Sequence, residues 1–151
     1  MGVEKVIANL LRVAKGDLDD ARHLADASSR NAIYLCEQAA EKVILAVVAS
    51  EGKHGNIQHM LDKLVDLIPD ENPLKPQLRK LQDLGFFATS YRYPSPSGNV
   101  KPQPDRAVFD RHAANVELAL NAAVAGFKVD LTKPNAPAGS VKPLRQAGPT
   151  A

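Results

Sequence analysis

Arg30-Asn31-Ala32-Ile33-Tyr34-Leu35-Cys36-Glu37-Gln38-Ala39-Ala40-Glu41-Lys42-Val43-Ile44-Leu45-Ala46-Val47-Val48 runs for nineteen residues without Gly or Pro. It is rich in Ala, Leu, Glu, Gln and Lys, the residues that lose least on entering a helix. Ile33, Cys36, Ala40, Val43 (or Ile44) and Val47 recur at spacings of three and four and make one apolar stripe. Ala32, Leu35, Ala39 and Ala46 widen that stripe beyond the pattern of a surface helix. The stretch therefore predicts a central helix over about residues 29–51, in contact with neighbours on more than one side. Ser28 or Ser29 can cap its start, and Gly52 can supply the left-handed residue at its end.

On the N-terminal side, Val3, Ile7, Leu10 (with Leu11), Ala14, Leu18, Ala21 and Leu24 (with Ala25) predict a first helix over 3–26. Gly16 weakens it or marks a close crossing by a neighbouring helix. Ala27-Ser28-Ser29 is a short turn, so the first two helices run antiparallel. Beyond Gly52 the pattern predicts a third helix over about 57–68, with Asn56 as its cap. A fourth follows from about Pro76 to Tyr91, on Leu78, Leu81, Leu84, Phe87 (or Ala88) and Tyr91. The prolines between Tyr93 and Asp105 break regular structure. A fifth helix over about 106–129 is capped by Asp105 and has His112 on its inward face, together with Val108 (or Phe109), Val116, Ala119 (or Leu120), Ala123 and Phe127. The whole is an all-α, up-and-down bundle of four or five helices over residues 1–130, with a proline-rich tail over 131–151 that is disordered or docked.

The totals agree with a single helical domain. The chain has 151 residues, 44% of them hydrophobic and only 5% aromatic, which suits close helix packing. A domain of this length buries about 68–70% of the surface of its unfolded chain, so no staple is required. The net charge of +2 makes no global demand for nucleic acid, and a basic site has to come from local clustering. Cys36 is the single cysteine, on the apolar stripe, which excludes an internal disulfide and reads as a small buried hydrophobe. No signal peptide pattern is present, and no apolar run approaches the ~20 residues of a membrane span. The expectation is a cytoplasmic protein with no membrane contact, no metal site and no cofactor.

Four features resemble the HEPN domain family. The first helix carries Asp17 and Asp20 ahead of Ala21 and Leu24. The central helix reads Tyr34-x-Cys36-x-Gln38-Ala39-Ala40-Glu41-Lys42, similar to the family's Gln-Ala-Ala-Glu-Lys core. His59-x-Leu61 followed by Leu64 is similar to its His-x-Leu-x-x-Leu element, and Tyr91-Arg92-Tyr93-Pro94 resembles the Arg-Tyr-Pro signature of small stand-alone members. The resemblance covers about residues 5–128. It implies a helical bundle of the nucleotidyltransferase substrate-binding-subunit type, usually a homodimer. It also implies an accessory or binding role toward a nucleotide, an RNA or a partner nucleotidyltransferase in a toxin–antitoxin-like pair. Some members are metal-independent ribonucleases that use Arg-x(4–6)-His, and others act as interaction modules.

Two constellations are candidates for chemistry. Lys42, Arg92, Tyr93 and His59 make a nucleotide- or phosphate-binding set, with two cations for the phosphate and an aromatic face for the base. Structural roles compete for the same residues: Lys42 paired with a carboxylate, Arg92 and Tyr93 locking a helix end, His59 bonding a helix start, and Tyr34, Gln38 and Glu41 in an internal polar network. Arg106 and His112 fit the ribonuclease spacing, with histidine for proton transfer and arginine for phosphate charge. Ala107, however, stands where active members carry Asn, Asp or His. Six helical residues also turn through about 600°, which leaves the two side chains about 120° apart. The competing reading has Arg106 solvated and His112 a hydrogen-bonded inward residue.

Overall fold

The computed structural model describes residues 2–55 and 60–146. Helix α1 spans Val3–Asp26 and α2 spans Ala32–Ser50. Three short helices follow, α3 (Leu61–Asp66), α4 (Lys75–Arg79) and α5 (Gly85–Ser90), and then the long α6 (Arg106–Gly126). The described residues contain no strand. None of their helices is long and apolar enough to cross a membrane.

The path is up, down, up and down. Helix α1 turns through Ser28, whose φ of 56° is left-handed, into antiparallel α2. Asn31, rather than Ser28 or Ser29, occupies the N-cap of α2 and makes no side-chain cap; the Ser29 hydroxyl only accepts from the Asn31 N–H at 3.2 Å. Gly52, at φ 74°, ends it in the left-handed conformation expected of that position. The short helices carry the chain back past α2, and α6 descends beside both long helices.

Helix α2 is the buried axis. Ile33, Cys36, Ala39, Ala40, Val43, Ile44 and Val47 are all enclosed, between Ile7, Leu11, Ala14 and Leu18 of α1 and Val116, Leu120 and Ala123 of α6. Phe127, just past α6, is the largest side chain wholly inside.

The fourth predicted helix is not continuous. A 3-10 turn over Gln82–Leu84 separates α4 from α5. Leu78, Leu81 and Leu84 are completely buried and stand three residues apart. Only a winding of about three residues per turn keeps such a row on one line, so packing tightens the helix here. The third helix is shorter than predicted, and Asn56 with the first predicted turn lies outside the described residues. Gly16 is exposed and no atom lies within 4 Å of where its Cβ would be, so no neighbouring helix crosses there. Asp105 occupies the N-cap position of α6 but contributes through its carbonyl, which accepts from Val108 and Phe109, rather than through its carboxylate.

After α6 the chain lies along α1. Arg12 reaches the Asp130 and Ala136 carbonyls at 2.9 and 2.8 Å, and the Ala138 N–H donates to the Glu4 carbonyl at 3.0 Å. Arg145 forms a bidentate pair with Glu51 at 2.7 and 2.8 Å, at the lower end of α2.

Candidate phosphate and base site

Helix α5 ends at Ser90, and the two residues after it set the upper corner of the bundle. Arg30 donates to the Tyr91 carbonyl at 3.2 Å and to the Lys101 carbonyl at 3.0 Å, which fixes the helix end and the proline-rich loop against the start of α2. Arg92 then projects between two tyrosines. Its guanidinium carbon lies 4.9 Å from the Tyr34 ring centroid and 5.5 Å from that of Tyr93. Stacking on an aromatic face holds a guanidinium flat without consuming its N–H donors. No carboxylate pairs with Arg92 among the described residues, and its side chain is exposed. Leu24, Asn31 and Leu35 complete an open depression of about 450 Å³ around Tyr34, Arg92 and Tyr93. Tyr93 is 62% exposed. The corner thus offers a planar cation, a free aromatic face and an amide.

Lys42 is elsewhere. Its ammonium stands 2.7 Å from Asp17 and 3.4 Å from the Gln38 side-chain oxygen. It borders a different depression, over the first half of α1 with Val6, Leu10 and Val13. Tyr34 and Lys42 are eight residues apart, about 12 Å along the helix, which is why one ligand head cannot bridge Arg92 and Lys42. The single groove expected from Lys42, Arg92 and Tyr93 therefore resolves into two places. His59 lies outside the described residues.

Arg106 and His112 also separate. Arg106, in the first turn of α6, pairs with Asp26 at 2.8 Å and Asp110 at 2.9 Å. These carboxylates, Asp110 first, hold its pKa above the ordinary value. It borders a small cavity of about 260 Å³ with Ser28, Ser29 and Phe109. His112 is 94% enclosed, since only 6% of it is exposed, and its ring meets Phe87 edge-on at 5.7 Å. It faces another groove, beside Asp83, Phe86 and Arg111. Burial, and secondarily Arg111, holds its pKa below the ordinary histidine value. Its Nδ1 is buried with no hydrogen-bond partner among the described residues. Within one subunit the two side chains do not converge, as the 120° offset implied.

Inside the bundle, Gln38 donates to Glu37 at 2.8 Å and to Glu41 at 3.1 Å. Glu37 is wholly buried, which the apolar spacing of α2 did not foretell. Tyr34, placed with Gln38 and Glu41 in the sequence, instead lies under Arg92. Burial pushes the Cys36 thiol up to about 12, so it is not a thiolate near neutral pH. No group of three potential metal ligands occurs among the described residues.

The HEPN domain model matches residues 7–124. The chain belongs to the HEPN family. Most of its length lies inside that match, including α2 with its Gln38-Ala39-Ala40-Glu41-Lys42 core and the corner that carries Arg92. No curated protein and no solved structure matches it.

Proposed function

We propose that this HEPN bundle is an accessory binding module that holds a phosphate-bearing nucleotide or RNA end at the Arg92 corner. The observation that carries this reading is the Arg92 guanidinium set between the Tyr34 and Tyr93 rings, with no carboxylate paired to it among the described residues. Arg92 supplies a fork for phosphate oxygens, and the exposed Tyr93 ring supplies a stacking face for a base. The Asn31 amide, at the start of the nineteen-residue α2, adds a polar contact beside a positive helix end. The resemblance to stand-alone HEPN members that act beside a minimal nucleotidyltransferase supports the same reading, because such a pair handles nucleotides.

The chain has no Trp and three Tyr, two of them at this corner, so tyrosine emission reports ligand stacking there directly. Nucleoside mono-, di- and triphosphates and a short single-stranded RNA are titrated against the wild type, Arg92→Ala, Tyr93→Ala and Lys42→Ala. The expected result is binding that weakens about tenfold or more in Arg92→Ala, equivalent to about 1.4 kcal/mol, with Lys42→Ala close to wild type. Absence of binding to every ligand, or equal binding by Arg92→Ala, overturns the proposal.

A further inference from the structure

The groove that His112 faces is open and has a volume of about 570 Å³. Val108, Arg111 and His112 reach it from α6, and Asp83, Phe86 and Phe87 from the 3-10 turn and α5. Both sets stand at i, i+3 and i+4, the spacing that gathers side chains on one face. Arg111 and Asp83 are exposed, and among the described residues neither side chain has a hydrogen-bond or ion-pair partner. They border one groove and do not pair with each other. His112 lies at its floor. Of the two ring nitrogens only Nδ1 is sealed off without a partner, so the ring meets the groove through Nε2. A buried N–H left without an acceptor is rarer than an unused lone pair. The proton is therefore assigned to Nε2, and burial keeps the ring neutral near pH 7.

We propose that this groove binds a free α-amino acid with an apolar side chain. The Arg111 guanidinium and the His112 Nε2–H are both donors, and together they take the ligand's carboxylate. Asp83 accepts from its ammonium group. Phe86, which is 58% exposed, forms an apolar wall for the side chain with Phe87 and Val108. Charge selects the class. A simple anion, a nucleotide phosphate included, would face Asp83 and the neighbouring Asp62. A simple cation would face Arg111 and leave the two donors unused. Only a ligand with both signs gives every group a partner. The inference does not rest on the Arg92 corner, whose aromatic faces and unpaired cation suit a different chemistry.

The test is an NMR titration of the full chain carrying isotope-labelled histidine, with L-phenylalanine as the probe. 3-Phenylpropionate, which lacks the ammonium group, and phenethylamine, which lacks the carboxylate, are the controls. The chain has four histidines, and the His112 signals are those missing from His112→Leu. Arg111→Ala and Asp83→Asn change exposed positions, so the fold is retained. The expected result is a saturable shift of the His112 Nε2 signal. The Kd rises about tenfold or more in either variant and for either analogue. A carboxylate held beside Nε2 also raises the pH at which His112 takes up its proton, which contact with an apolar group alone would not do. Absence of a saturable shift overturns the proposal. So does equal binding of either analogue, undiminished binding by Arg111→Ala, or a shift given by nucleoside monophosphates and not by phenylalanine. Arg92→Ala is expected to bind phenylalanine as the wild type does, which keeps this outcome separate from that of the Arg92 corner.

Discussion

The Lys42 ammonium stands 2.7 Å from the Asp17 carboxylate and joins the middle of α2 to the middle of α1. Both side chains are about four-fifths enclosed, with 23% and 19% of their surface exposed. The pair is consequently neither a freely solvated surface bridge nor a fully desolvated one.

Removing one member leaves the other partly buried and uncompensated. Lys42→Met and Asp17→Asn are each expected to destabilise the fold by about 1–2 kcal/mol. The double variant is expected to lose less than the sum, because the two changes remove one shared interaction. Denaturant unfolding of the four proteins measures this, and strict additivity would show that the contact contributes nothing.

His112 gives the fold a pH dependence. Its pKa is depressed in the native state, chiefly by burial, so the unfolded chain binds more protons in the window below the ordinary value of 6.5. Stability is then fully present above that value and falls as the pH descends through the native one. His112→Leu removes the titrating group and keeps an apolar contact for Phe87. Thermal unfolding of both proteins between about pH 7.5 and 5 is expected to show a shallower acid loss in the variant. Parallel curves would refute the assignment.

The pair of Arg145 with Glu51 fastens the tail to the lower end of α2. Hydrogen bonding from Arg145 first, and from Asn72 after it, holds the Glu51 carboxyl below its ordinary value of 4.5. The contribution is therefore present above that pH and is lost as the pH falls through the native value. Arg145→Ala is expected to speed amide exchange at Gly139 and Ser140, whose N–H groups donate to Lys128 and Phe127, while leaving α2 protected. Unchanged exchange in the tail would mean that Arg12 and the Ala138–Glu4 bond hold it without Arg145.

Ser28 makes the tight turn between α1 and α2 at a positive φ. Glycine adopts that conformation without a Cβ clash but loses more freedom on folding. Ser28→Gly is expected to stabilise the protein by a net of about 0.5 kcal/mol, read as a small rise in melting temperature. A fall would show that the serine side chain contributes more than its backbone geometry costs.

The long helices were legible because each has one strong period. The predicted limits of α1 coincide with the observed ones, and Gly52 stops α2 by the expected means. The break at Gln82–Leu84 was legible only in part. Leu78, Leu81 and Leu84 read as a helical stripe, but their strict spacing of three is also the signature of the tighter winding. Arg92 and Tyr93 stand out in the sequence, whereas Tyr34 reads only as a competing member of an internal network with Gln38 and Glu41 on the same helix. Which side chain rises to meet Arg92 depends on where α5 ends, and that is a tertiary fact. The burial of Glu37 has no signal in the sequence, because a buried acid is recognisable only by its neighbours.

The contrast in helix length divides the molecule by cooperativity. Helices α1, α2 and α6 run for 24, 19 and 21 residues and pack on one another. Helices α3, α4 and α5 have 6, 5 and 6 residues, too few to persist without tertiary support. Sub-global opening is expected to begin in these short segments and to spare the long-helix frame. The corner that presents Arg92 hangs from the last of them, by way of Arg30. A ligand seated there would anneal the softest part of the fold, so its grip would register as protection of amides between Leu61 and Ser90 well before any change in α1.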